Sequence, residues 1–268
     1  MPPRICLSLS LVAFALLLGG CNSSDDSDGS PQTLVVGMEM AYPPFEMRGA
    51  DNEPDGISVR MAEDLGKFLG RPVELRDVEW SGIIPALTSG KIDLIISSMT
   101  RTAEREKTIA FSDNYVTNGL CMLVGVDSPI QSVADLKAGQ HKVAVKLATT
   151  GQQWAKDNLP GVDLILLDDA GACAIEVVQG KVDAFIYDQI SIYQYWKAHV
   201  AETRPILQPI REESWAVGMR HGEDALKNEV NRFLAFYRES GGFEVLAERY
   251  MAEPKEAFEG LGVPFIFH

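Results

Sequence analysis

The sequence predicts an α/β protein of two lobes with a cleft between them, and three observations carry that expectation. From Thr33 short apolar strands alternate with longer amphipathic segments: "TLVVGME", "GISVRMAEDLGKFLG", "PVELRDV", "SGIIPALTSG", "KIDLIISS". That order belongs to a mostly parallel sheet covered by helices. Next, "TSGKIDLIISS" at Thr88–Ser98 is echoed by "VQGKVDAFIYD" at Val178–Asp188, as two similar lobes would require. Finally, two extended stretches, "YVTNGLCMLVGVDSP" and "REESWAVGMR", could carry the chain from one lobe to the other and back.

The first twenty residues hold one charge, Arg4, and the apolar run "ICLSLSLVAFALLLGG". This is the composition of a signal peptide, too short to span a membrane and stay there. "LLGGC" resembles the lipobox of bacterial lipoproteins, which implies cleavage before Cys21 and a lipid on its thiol; the alternative is a secreted protein with an unused cysteine. "NSSDDSDGSPQ" follows without an apolar residue and reads as a flexible tether, so residues 21–32 are expected to link anchor and domain.

Within the folded part, Met61, Leu65, Phe68 and Leu69 recur at helical spacing, whereas isoleucine and valine crowd the strands. Gly90 and Gly180 are the expected left-handed helix stops, with Lys91 and Lys181 suiting the negative helix end. The echo also has a plainer reading, that helix-to-strand turns look alike. "EDALKNEVNRFLAFYRESGGFEVLAERYM" is expected to be helical with a break at Gly241 and Gly242. Two crossings make the first lobe discontinuous: 33–118 with 214–268, the second lobe being 119–213.

A formal net charge of −14 argues against nucleic acid, which needs a basic face. Of four cysteines, Cys6 leaves with the signal and Cys21 is the anchor, so Cys121 and Cys173 remain; an oxidising compartment permits a disulfide, and buried free thiols are the alternative. No Cys/His spacing suggests a metal, and no cofactor is expected.

In open α/β sheets ligands lie beyond the carboxyl ends of strands. Three such ends are polar: Ser98, Thr100 and Thr102 with Arg105; Thr149, Thr150 and Gly151; and Asp188. Hydroxyls, helix N–H groups and a guanidinium fork suit a carboxylate, and an aspartate suits an ammonium. Together they would clamp the zwitterion of a free amino acid. Each alone can equally be a helix N-cap.

"GMEMAYPPF", "DGISVRMAEDLGKFLGRPVEL", "WSGIIPALTSGKIDLIISSMTRTAEREKTIAFSDNY", "VAVKLATTG" and "GKVDAFIYD" closely resemble the amino-acid-binding proteins of bacterial ABC importers, over nearly all of Thr33–Met251. The resemblance implies two Rossmann-like lobes joined by a two-strand hinge, the type II periplasmic binding protein arrangement. It implies that Arg105 and Thr100, with the backbone of Ser98 beside them, hold the ligand's carboxylate, completed across the cleft by Thr150 with Thr149 as a further candidate. Asp188 would hold its ammonium, and Tyr42 and Trp80 its side chain. Glu39 and Lys146 match positions near the ligand's distal end: together they could read a side-chain amide, whereas Glu39 without a free Lys146 would favour arginine or lysine. Implied partners are a permease and ATPase, with a monomer outside the cytoplasmic membrane held through Cys21. "KLATTG" departs from the family in lacking a glycine before its threonines. A cleft enzyme of the same fold, a dehydratase acting on arogenate or prephenate with Glu39 as base, and a chemosensory protein are the rival classes.

Overall fold

A computed structural model describes residues 32–261. The expected signal peptide, Cys21, the tether up to residue 31 and the tail from residue 262 lie outside the described residues. Among the described residues, no helix is long and apolar enough to cross a membrane.

The chain runs β1 (Leu34–Met38), β2 (Ala41–Tyr42), β3 (Glu46–Arg48), β4 (Pro54–Asp55), α1 (Ile57–Leu69), β5 (Val73–Asp77), α2 (Ile83–Thr88) and β6 (Leu94–Ile95). The long strand β7 (Ala110–Gly125) then leads into α3 (Val133–Ala138), β8 (Lys142–Lys146), α4 (Thr150–Asn158), β9 (Asp163–Leu167), α5 (Ala170–Val178), β10 (Ala184–Asp188) and α6 (Gln189–Ala198). A second long strand, β11 (Thr203–Met219), returns to α7 (Asp224–Glu239) and α8 (Gly242–Leu261).

Eight strands lie in the order β5-β1-β6-β11-β7-β10-β8-β9, and β2, β3 and β4 form a small separate sheet. β1 is parallel to β5 and β6, and β8 is parallel to β9 and β10. The central pair β7 and β11 is antiparallel, as a chain that crosses and returns must be; Asn118 lies opposite Glu213 and Thr117 opposite Ser214. The halves on either side of this pair are the two lobes.

Strand residues alternate faces because the pleat has a period of two. Leu120, Met122 and Val124 of β7 enter one apolar layer with Val143, Val145 and Trp154. Cys121 and Leu123 enter the other, with Phe185 and Cys173. Both lobes are covered on two faces, which is why their parallel strands read as nearly continuous apolar runs. Met61 and Leu65 of α1 are buried as their spacing requires, with Phe68 and Leu69 packed at the margin. Cys121 and Cys173 are free and buried; burial pushes both thiols up, Cys173 to about 12.

The internal echo has a physical content. Gly90 and Gly180 both adopt positive φ, 76° and 65°. Each is followed by a lysine whose N–H returns to the preceding helix, Lys91 to the Ala86 carbonyl and Lys181 to the Glu176 carbonyl. The aspartates then do the same work in each lobe. Asp93 Oδ2 accepts from the Val35 N–H at 3.0 Å, and Asp183 Oδ2 accepts from the Lys142 N–H at 2.8 Å. Each "GK-D" thus ties its helix-to-strand turn to the lobe's first strand.

One expectation changes, and one contact was not anticipated. The strand expected through Ser98 is only Leu94–Ile95, because the chain leaves the sheet and turns at Ser98, φ 49°. The C-terminal helix also reaches farther than the first lobe: Phe258 packs edge-on against Tyr193 of α6 at 5.2 Å. Glu253 accepts from the Tyr193 hydroxyl at 2.6 Å and pairs with Lys197.

Candidate functional site

The carboxyl ends of β1, β6, β8 and β10 meet the central pair around a narrow cavity. Nine of the ten expected residues line it: Glu39, Tyr42, Trp80, Ser98, Thr100, Arg105, Thr149, Thr150 and Asp188. Lys146 lies behind Glu39 and does not line it. Glu46, Ser97 and Tyr187 also line it and were not anticipated.

Asp188 occupies the N-cap position of α6, yet its side chain makes no capping bond. Its Oδ1 accepts from Asn118 Nδ2 at 3.1 Å instead. Burial, then the nearby charge of Glu213, push this carboxyl up to about 7, while the Tyr42 hydroxyl, then Arg105 and Lys146, pull it down. A buried carboxylate in that condition favours an incoming cation.

Arg105 lies in the short 3₁₀ turn Arg105–Lys107. Its Nη1 donates to the Thr100 carbonyl at 2.8 Å and its Nη2 to the Ala148 carbonyl at 3.2 Å, across the cleft. The guanidinium carbon stands 5.3 Å from the Trp80 ring centre. Burial lowers its pKa to about 10, against the raising effect of Glu213 and Asp188. Arg105 forms no salt bridge with a described carboxylate, so a positive fork held by carbonyls and a ring lines the cavity with its counter-charge unfilled.

The hydroxyls of the expected carboxylate clamp are spent inside the protein. Thr149 caps α4: its Oγ1 accepts from the Gln152 N–H at 3.3 Å and donates to the Lys146 carbonyl at 2.7 Å. Thr100 and Thr150 both donate to one oxygen of Glu213, at 2.9 and 2.8 Å. Each hydroxyl has a single proton, so the donors left for a carboxylate are the remaining N–H groups of Arg105 and the open first turn of α4.

Glu39 and Lys146 form an ion pair, and their side chains are 11% and 3% exposed. Glu39 Oε1 also accepts from the Trp80 N–H at 3.3 Å, and its own N–H donates to Ser97 Oγ at 3.0 Å. Ser97 and Ser98 donate to the two oxygens of Glu46, each at 3.2 Å. Glu46 is fully buried, and burial lifts its carboxyl to about 8 despite those bonds. The only local sign of this residue is its place directly after "YPPF"; nothing in spacing announces a buried acid.

Tyr42 and Trp80 are unequal partners. Tyr42 is buried, 5.8 Å from both Phe45 and Trp215 and 6.0 Å from Tyr187, with its hydroxyl turned toward Asp188. Trp80 is half-buried and donates Nε1 to the Ala148 carbonyl at 3.0 Å. Ala148 itself stands at φ 58°, left-handed, where the resemblance led to a glycine. No cluster that could hold a metal occurs among the described residues.

Known proteins of similar sequence and fold identify the family. L-cystine-binding protein TcyJ of Escherichia coli (strain K12) is 31% identical over 220 residues, 81% of this chain and 82% of that protein. Arginine-binding extracellular protein ArtP of Bacillus subtilis is 28% identical over 94% of this chain and 98% of its own length. Among solved structures, an ancestral arginine-binding protein bound to glutamine superposes with a TM-score of 0.76 at 32% identity, covering 82% of this chain and 98% of that one. AncCDT-1, an ancestral amino acid-binding protein described as a precursor of cyclohexadienyl dehydratase, gives 0.75 at 35% identity over 81% and 94%. The family model for bacterial extracellular solute-binding proteins, family 3, matches residues 34–253, nearly the whole folded part, and the chain belongs to that family.

Proposed function

We propose that this protein captures a free, neutral, polar L-amino acid between its lobes and delivers it to an ABC importer. The observation that carries the reading is a cation and a carboxyl lining one cavity, neither in a salt bridge among the described residues: Arg105, held by carbonyls, and Asp188, which caps nothing. A zwitterion supplies both partners at once. Beyond them, Glu39 and Lys146 neutralise each other and Glu46 favours its neutral form, so the side-chain end offers hydrogen bonds and no net charge. Trp80 and Tyr42 supply apolar walls.

Hinge closure brings the two sets of groups onto one ligand. The lobes in this reading are 33–118 with 214–268, and 119–213, changing over where Asn118 faces Glu213. Delivery involves a permease and ATPase, with a monomeric protein held at the membrane outside the cytoplasm through lipidated Cys21.

A cationic amino acid is the second reading, favoured by Glu39 lining the cavity while Lys146 does not. A thermal-shift screen of the protein against the twenty amino acids, ornithine and citrulline tests both. At one hundred times Kd a ligand adds about 2.7 kcal/mol. A shift with glutamine or its close kin supports the first reading, one with arginine or lysine the second. No shift with any amino acid sinks both, and turnover of arogenate or prephenate would then identify a cleft enzyme.

A further inference from the structure

Glu213 belongs to no ligand-binding role above, yet it is buried, with its side chain 2% exposed, and one of its oxygens joins separate parts of the fold. Its Oε2 accepts from Thr100, in the segment after β6, at 2.9 Å, and from Thr150, the first residue of α4, at 2.8 Å. Its Oε1 accepts from both Nε and Nη2 of Arg211. Arg211 in turn donates to the Thr150 carbonyl at 3.3 Å. Thr100 and Thr150 belong to opposite lobes, and Glu213 is on the strand between them, opposite Asn118.

We propose that Glu213 is a positioning residue that latches the cleft, by holding the Thr100 and Thr150 hydroxyls of the two lobes on one carboxylate oxygen. The inference rests on the reading of the cavity as a site closed by the hinge. One acceptor serves two donors only while both lobes are close, so separating them breaks at least one of these charge-assisted bonds. The arrangement also explains why two hydroxyls expected to bind a ligand's carboxylate are turned away from that task. Glu213 instead presents α4 and the Thr100 segment to each other, leaving Arg105 and the first turn of α4 to contact the anion. Arg211 balances the buried charge, which would otherwise be costly to keep between the lobes.

The test is amide hydrogen exchange on the full chain without added ligand, comparing wild type, Glu213→Gln, Thr150→Val and the double variant. Glu213→Gln keeps the shape and weakens the shared acceptor. Exchange is expected to rise about tenfold, the worth of one charge-assisted bond, in the first turn of α4 and in the segment 98–102. Thr150→Val should act on the same two segments, and the double variant should add little, because both changes break one contact. In a second readout, glutamine as probe should dissociate faster from Glu213→Gln with its association rate little changed. Unchanged exchange, a rise spread evenly over the chain, or additive effects would overturn the latch. Tighter glutamine binding would overturn it too, by making Glu213 a competitor of the ligand's carboxylate. If glutamine does not bind, the ligand reading is at fault, and the exchange comparison still decides the role of Glu213.

Discussion

The indole N–H of Trp80 donates to the carbonyl of Ala148 at 3.0 Å, and the guanidinium of Arg105 shares that same carbonyl at 3.2 Å. One backbone oxygen of the second lobe therefore fixes both the aromatic wall and the cationic fork of the first. The residue that presents it is left-handed without being glycine.

Ala148→Gly should raise the stability of the ligand-free protein by about 1 kcal/mol, because an L-residue with a Cβ is strained in that conformation. Thermal unfolding reads this directly. A lower melting temperature would mean that the Cβ packs usefully and that the carbonyl's position depends on it.

Asp188→Asn should weaken binding of a zwitterionic amino acid by about a hundredfold, since the ligand's ammonium would lose its buried carboxylate. The same change should leave the fold intact and raise ligand-free stability at pH 8, where ionised Asp188 is costly. Calorimetric titration with glutamine, paired with thermal unfolding, separates the two effects. Binding near the wild-type constant would remove Asp188 from the site.

Ligand-free stability should decline between about pH 5 and pH 8. Burial raises Glu46 to about 8 and Asp188 to about 7, so over that interval the folded protein holds more protons than the unfolded chain. Their contribution is complete below the ordinary carboxylate range and lost as pH rises through about 7 and about 8. A tenfold difference in proton affinity between the folded and unfolded chain is worth about 1.4 kcal/mol. Asp55, held down to about 2 chiefly by the Tyr250 hydroxyl with Arg60, responds only in stronger acid. Denaturant unfolding across the interval should show the decline in wild type and a smaller one in Glu46→Gln. A flat profile for both would mean that these carboxyls are solvated.

Zwitterion binding should have the opposite pH response below neutrality. Protonation of Asp188 removes the ammonium's partner, so affinity for glutamine should fall as pH drops from about 7 to 5, and Asp188→Asn should lack this dependence.

Lys146→Met should leave Glu39 buried and unpaired, destabilising the ligand-free protein by about 3 kcal/mol. Arginine or lysine should then restore stability more than glutamine does, because a cationic side chain replaces the lost ammonium. Thermal shift with the three amino acids measures the change. Unaltered selectivity would show that the ion pair does not face the ligand's side chain.

The chain's local chemistry determined much of this protein by itself. Apolar alternation announced the strands, and "GK-D" announced both helix-to-strand turns, because helix stops and strand faces depend on neighbours a few residues away. Arg105, Asp188 and Thr150 could be placed near the polar ends of strands by local pattern, whereas Trp80 came only from the resemblance to the family. Tertiary structure alone decided how their protons and charges are shared. Lys146 meets Glu39 across 107 residues of sequence, and Glu213 meets Thr100 across 113 and Thr150 across 63. A hydroxyl gives its one proton to whichever acceptor the packed chain brings near, and a buried ammonium pairs with whichever carboxylate is in reach. Periodicity contains neither distance, so the diversion of two threonines onto Glu213 and the depth of Glu46 emerge only when both lobes are folded against the central pair of strands.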